Sequence, residues 1–240
     1  MSSTRRLLVI GAGSGIAQAF ISRHTDAGNS DIIGVSRSAA KLQAVGYSHM
    51  ISDYSERSIR DIIDTLAARN WYPDTVLICN GLLHDDQIMP EKQLSAFSAA
   101  AWQAVMQAGT LIPMLWLQAV TAYLPRSQVT NIVLLSARVG SISDNRLGGW
   151  YSYRSSKAAL NMLVKTAAVE LRRTHPGLGL LLFHPGTTDT PLSKPFQRRV
   201  PENRLFTPTF VAEQLAALIE TSVVAGDVRY LDWAGETISW

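Results

Sequence analysis

The sequence has a single cysteine, Cys79, so no disulfide can form within the chain. A reducing compartment agrees with this, and Cys79, in the apolar run 76–79, reads as a buried, inert thiol. Charge is also scarce: 17% of residues are charged against 47% hydrophobic, which excludes a disordered chain. The formal net charge is only +3 and no Lys/Arg block stands out, the pairs Arg172-Arg173 and Arg198-Arg199 reading as solvated faces. That leaves no nucleic-acid footprint. No run reaches the ~18 consecutive apolar residues of a membrane span. The N-terminal stretch 1–6 leads into a run of only four apolar residues before Gly11, too few for the core of a signal peptide. These absences predict a cytoplasmic protein with no membrane, nucleic-acid or metal partner. No repeat, low-complexity tract or linker divides the chain.

A length of 240 residues suits one large α/β domain. Short apolar runs at 7–10, 31–36, 49–52, 75–80, 131–136, 179–184 and 229–232 read as strands. Several are apolar on both faces, as parallel strands covered by helices are. Between them the helical pattern covers 15–27, 56–69, 96–108 continuing to 123, 151–174 and 209–224. Ser55 is placed to cap the second helix, and Pro113 to kink or break the third. The alternation predicts a doubly wound parallel sheet, a Rossmann fold, in one domain spanning 1–240. The stretch 187–208 holds four prolines and is too long for a simple connection, so it is predicted to be a substrate-side lid.

Gly11-Ala12-Gly13-Ser14-Gly15-Ile16-Ala17 follows the first strand and opens the first helix. Glycines there let the backbone turn tightly and approach a pyrophosphate, and the helix N-terminus offers N–H groups and partial positive charge. Ser36-Arg37-Ser38 ends the second strand. A carboxylate at this place would hold a free ribose 2′-OH; Arg37 instead matches a 2′-phosphate, predicting NADP(H) in preference to NAD(H). Asp53 is a candidate partner for the adenine amino group, and Asn80-Gly81 lies beside the expected crevice; Asp53 and Asn80 also read as ordinary turn residues.

Tyr153 and Lys157 stand four apart on one helix face. A free phenol, with a pKa of about 10, exchanges protons poorly at neutral pH, and bringing it down to about 7 takes roughly 4 kcal/mol. A nearby ammonium and an oxidised nicotinamide supply stabilisation of that kind, so Tyr153 can protonate a carbonyl oxygen or deprotonate an alcohol.

In this combination the chain resembles the short-chain dehydrogenase/reductase family over essentially its full length. The glycine run, Asp53, Asn80-Gly81, Tyr153 to Lys157 and Pro185-Gly186 through Thr188 and Thr190 fall in the family's order. The segments 139–145, Gly149-Trp150-Tyr151-Ser152-Tyr153, 184–187, 192–196 and 205–208 resemble its bacterial C-factor-like branch. The resemblance implies that Tyr153 is the acid/base, that Lys157 holds the ribose and lowers the tyrosine pKa, and that Pro185 to Thr190 contacts the nicotinamide.

Several positions depart from the family pattern. Ala17 replaces a glycine, and Ile10 stands where threonine is usual. Ala137 occupies the catalytic serine position, and Gly109 falls where an active-site asparagine is expected. Losing one oxygen-binding donor typically costs ~10²–10³ in rate. Ser136 is a doubtful substitute because adjacent strand residues face opposite ways. Ser141 and Ser143 lie on the following loop, and Ser141 is the preferred candidate for the missing donor. The leading expectation is an NADP-dependent reductase or dehydrogenase acting on a carbonyl or alcohol. The alternative is a catalytically weak dinucleotide-binding protein with an interaction or signalling role. The apolar side chains Leu160, Leu163 and Val164 are read as permitting a homo-oligomer.

Overall fold

The computed structural model describes residues 4–39, 42–222 and 225–240. In chain order its main elements are β1 (Arg5–Ile10), α1 (Gly15–Asp26), β2 (Ser30–Ser36), β3 (Tyr47–Ile51), α2 (Glu56–Ala68), β4 (Thr75–Ile78), α3 (Ala99–Met106), α4 (Ile112–Tyr123), β5 (Thr130–Leu135), α5 (Tyr151–Thr174), β6 (Leu178–His184), β7 (Thr187–Thr188), β8 (Leu205–Phe206), α6 (Pro208–Ser222) and β9 (Val228–Asp232). Seven strands form one parallel sheet in the order β3-β2-β1-β4-β5-β6-β9. This is the doubly wound α/β fold expected from the sequence. The order reverses between β1 and β4, which opens a crevice at their carboxyl ends.

Strand alternation sorts the core. Leu8, Ile10, Val76, Ile78, Leu180 and Leu182 face α2, α4 and α5, where Ile62, Leu66, Trp116, Leu160 and Val164 meet them. Leu7, Val9, Leu77, Leu181 and Phe183 face α1 and α6, against Phe20, Ile21, Val211 and Leu215. Each such side chain, removed from water, contributes about 1.5–3 kcal/mol. Leu160 and Val164 are therefore committed to the chain's own core, which corrects their reading as an oligomer face. Met162, Leu163 and Val169 are the apolar side chains that α5 exposes.

Local signals account for most helix ends. Ser55 Oγ accepts from Ser58 N at 3.2 Å and caps α2. The expected helix over 96–123 is interrupted: Gln107–Leu111 forms a wider π turn between α3 and α4. Pro113 has no N–H to donate to Gly109, four residues back, and the π turn carries the chain past that missing bond. The combined span Ala99–Tyr123 has the length and apolarity of a membrane helix, but Trp116, Leu117 and Val120 are buried against the sheet, as in a core helix. The last residues of the helix expected over 209–224 lie outside the described residues. The stretch 187–208 is structured, with β7 pairing with β8 and two 3₁₀ turns, Lys194–Arg199 and Glu202–Arg204, between them.

Candidate active site

Two adjoining cavities lie over the reversal of strand order. One, of about 380 Å³, is lined by Gly11, Gly13, Ser14, Ser36, Arg37, Ser38, Tyr47, His49 and Tyr54 among others. The second, of about 290 Å³, is lined by Gly15, Ile16, Leu135, Ser136, Tyr153, Lys157, Pro185 and Thr190, with Pro191 and Leu192 from the 187–208 stretch. Gly13, Ser14, Cys79, Asn80 and Gly81 line both, so the two share a wall.

The glycine run is built for close approach. Gly11 has φ +76°, and a Cβ there would stand 3.1 Å from the Cys79 carbonyl carbon and 3.3 Å from Asn80 N. Ser14 caps α1, its Oγ accepting from Ala17 N at 3.3 Å, and no acid occupies the first turn. The free N–H groups of that turn therefore keep their partial positive charge. Asn80 Oδ1 is buried among the cavity walls without a partner among the described residues. Cys79 lines both cavities, and burial pushes its thiol up to about 12, so it stays protonated.

Arg37 lines the outer cavity with Ser36, Ser38, Tyr47 and His49. His49 Nε2 lies 3.0 Å from the Ser38 carbonyl and 3.1 Å from Ser36 Oγ, and its Nδ1 lies 2.7 Å from Tyr47 OH. The imidazole thus braces the turn that carries Arg37. Nothing in the local sequence around Arg37 points to His49, because the contact exists only through the pairing of β3 with β2. Asp53 does not line the cavity. Its Oδ1 accepts from Ser55 N at 2.8 Å, and hydrogen bonds with Ser55 hold its carboxyl below the usual range. Tyr54, with φ +66°, takes the lining position instead.

At the inner end, Tyr153 is 9% exposed and Lys157 2%. Lys157 Nζ donates to Leu135 O at 2.9 Å and lies 5.8 Å from the centre of the Tyr153 ring. Burial, with Tyr230 nearby, pushes the Tyr153 phenol up to about 12. Burial also brings the Lys157 ammonium down to about 8, against a smaller opposing influence from Cys79. Without a ligand, then, the phenol firmly holds its proton. Ala137 packs on Tyr153 together with Leu83 and Val105, and Trp150 and Phe196 extend this apolar wall. The Trp150 ring meets Tyr153 edge-on at 6.2 Å, and Phe196 lies 5.1 Å from Trp150.

The two candidate serines separate. Ser136 lines the cavity with Tyr153, its Oγ donating to Asn161 Oδ1 at 2.6 Å. Ser141 does not reach that cavity. It is buried, accepts from Asp144 N at 3.2 Å, lies 3.3 Å from Ser143 Oγ, and lines a separate small apolar hollow. Ser141 as oxygen donor is corrected by this placement: the 3₁₀ turn Arg138–Gly140 carries it past the cavity. Thr188 is buried, with its Oγ1 donating to Pro185 O at 3.4 Å, so it supports the loop and does not line the cavity. Gly186 lines a neighbouring polar cavity with Arg138, His184, Arg204, Asp232 and Glu236.

With this geometry the chain matches the short chain dehydrogenase family over residues 5–201. It belongs to that family. Along 98% of its length it is 28% identical to 1-hydroxy-2-glutathionyl-2-methyl-3-butene dehydrogenase of Rhodococcus sp. (strain AD45), covering 99% of that protein. It is 31% identical to the C-signal protein of Myxococcus xanthus over 127 residues, 52% of this chain and 71% of that one. Among solved structures, a short-chain dehydrogenase/reductase-type protein of Burkholderia multivorans with bound NADP superposes with TM-score 0.82 at 22% identity, covering 99% and 100% of the two chains. An NADPH-bound carbonyl reductase from chicken fatty liver gives TM-score 0.82 at 20% identity, covering 99% and 95%. At these identities the structures show the shared fold.

A dinucleotide fits the family trough as this chain builds it. Gly11 leaves a cradle that a Cβ would fill, the first turn of α1 offers unneutralised N–H groups, and Asn80 Oδ1 is buried without a partner among the described residues.

Proposed function

We propose that this short-chain dehydrogenase family member is an NADP(H)-dependent oxidoreductase for a small carbonyl or alcohol, with Tyr153 as the proton donor and acceptor. The observation that carries this reading is the convergence of Tyr153, Lys157 and the glycine run on one cavity, whose wall continues to Arg37.

Gly11, Gly13, Ser14, Gly15 and Ile16 would hold the pyrophosphate end of the dinucleotide, and Arg37 its 2′-phosphate. Asn80, Gly81, Pro185 and Thr190 would lie along its remaining length. When bound, the nicotinamide supplies or accepts hydride. Tyr153 then gives its proton to the carbonyl oxygen, or takes it from the alcohol. Lys157 beside the phenol favours the charged form of the tyrosine once the site is closed to water. The wall of Leu83, Val105, Ala137, Trp150 and Phe196 suits a substrate with an apolar body. The stretch 187–208, which brings Phe196 onto Trp150, acts as the lid.

The full-length relative named as a dehydrogenase supports this reading over a purely signalling role. The partial match to the C-signal protein is what remains in favour of the C-factor-like branch. A cytoplasmic location is part of the reading. A homo-oligomer would bury the exposed Met162, Leu163 and Val169 of α5.

The test is oxidation of NADPH against a panel of apolar and polar ketones and aldehydes. The Tyr153→Phe variant serves as control: its turnover should fall at least ~10²-fold while NADPH binding survives. A wild-type protein that oxidises NADPH with no member of the panel would overturn the proposal.

A further inference from the structure

α5 carries both Tyr153 and Lys157, yet nothing local stabilises its start. Its first flanking residue, Trp150, has a left-handed backbone (φ 52°, ψ 42°) and offers no side-chain cap, and its first turn contains no acid. An uncapped N-terminus leaves N–H groups that must find acceptors elsewhere. They find them in Glu91, on the loop between β4 and α3. Glu91 is 5% exposed, and among the described residues it pairs with no cation. Its Oε2 accepts from Ser152 N at 3.1 Å, and its Oε1 accepts from the Ser152 hydroxyl. Its backbone carbonyl accepts from Trp150 N at 2.5 Å. One residue thus grips the helix start on both sides of Tyr151. Gly149 makes room for the approach: it has φ +65°, and a Cβ there would stand 3.3 Å from Glu91 O.

A carboxylate in this position gains charge-assisted hydrogen bonds and the field of the helix N-terminus. The loop that carries Glu91 begins at Asn80-Gly81 on the cavity wall and passes Leu83, which packs on Tyr153. Cofactor trough, substrate wall and helix start are therefore tied together by one segment.

We infer that Glu91 is a positioning residue for Tyr153: it caps α5 through Ser152 and so fixes the phenol against Lys157. The inference rests on the proposed reductase function for its kinetic part only.

Three variants of the full chain test it: Glu91→Ala, Glu91→Gln and Ser152→Ala. Glu91→Ala should lower kcat for carbonyl reduction at least ~10-fold, as a displaced catalytic group does, with NADPH affinity little changed. Glu91→Gln keeps an acceptor oxygen and should recover most of that loss. In alcohol oxidation, the pH at which the Glu91→Ala rate reaches half its maximum should move upward, since the phenol is no longer held against Lys157. Amide exchange of residues 151–153 should speed up in Glu91→Ala while that of β1 and α1 does not. Ser152→Ala removes one bond only and should show the same pattern more weakly, which covers the case in which Glu91→Ala does not fold. Wild-type kcat and wild-type exchange in Glu91→Ala would overturn the inference, as would a loss of kcat with no change in exchange at the start of α5. If the wild type reduces no carbonyl, the proposed function fails, while exchange at 151–153 still decides the role of Glu91.

Discussion

A Cβ on Gly109 would stand 2.6 Å from Ser156 Oγ, a separation that real Cβ atoms essentially never show. Gly109 lies in the π turn, at the position where the family resemblance leads one to expect an asparagine, and Ser156 lies on α5 next to Lys157. The two residues therefore fit as a pair, with the missing side chain at one position taken up by the hydroxyl at the other. Ser156 Oγ is itself buried without a hydrogen-bond partner among the described residues. Gly109→Asn alone should overpack this contact and cost about 1–3 kcal/mol, lowering Tm by several degrees. Adding Ser156→Ala removes the clashing oxygen and leaves Cβ at 3.6 Å, an ordinary contact, so the double variant should recover the part of the loss that comes from this clash. Thermal melts of the single and double variants check this. A Gly109→Asn protein as stable as the wild type would contradict it.

Ala137 presents a methyl to Tyr153 where a hydroxyl would bind the oxygen that gains charge as the carbonyl is reduced. Ala137→Ser should raise turnover of a poor carbonyl substrate about ten-fold or more, equivalent to about 1.4 kcal/mol in the barrier. Ser141 lies outside the cavity, so Ser141→Ala should leave turnover unchanged in either background. The four proteins assayed on one substrate give the answer directly. A large loss from Ser141→Ala would mean that the loop after β5 rearranges when substrate binds.

Among the described residues Arg37 is the arginine that lines the outer cavity, and no acid among them lines it. NADPH should bind at least ~10-fold more tightly than NADH, and Arg37→Asp should narrow or reverse the difference by exchanging attraction for repulsion at the 2′-phosphate. Calorimetric titration of both proteins with both cofactors measures it. His49 holds the turn beside Arg37, so His49→Ala should weaken NADPH more than NADH.

The sheet was legible because each strand is an apolar run bounded by turn residues, and α5 because its pattern runs unbroken from Tyr151 to Thr174. What escaped depends on partners distant in sequence. Nothing near Tyr153 announces Glu91, 61 residues before Ser152, as its helix cap. Asp53 has the residue type for an adenine contact, but the positive φ of Tyr54 turns the next side chain into the cavity and leaves the carboxylate to cap a turn. Ser141 is near Ala137 in sequence, yet the intervening 3₁₀ turn carries it to the other side of the chain. The glycine run, Tyr153 and Lys157 were readable because their chemistry and their spacing lie on single elements.

Lys157 should cost the protein stability in exchange for its role beside Tyr153. Burial brings its ammonium from 10.5 to about 8. Below pH 8 both the folded and the unfolded chain carry the proton, and the folded chain bears the full penalty of the buried charge, about 3 kcal/mol. Between pH 8 and 10.5 the unfolded chain binds the proton more fully than the folded one, so this penalty shrinks as pH rises. Lys157→Met keeps much of the volume and removes the charge, though it also leaves Leu135 O without its donor. The variant should therefore be more stable than wild type at pH 7, by up to about 3 kcal/mol less the lost hydrogen bond. The gap should close on approaching pH 10, while turnover is lost at every pH. Urea unfolding of both proteins at pH 7, 8.5 and 10 measures the gap without interference from groups common to the two. A gap that stays constant with pH would show that Lys157 titrates normally in the folded chain.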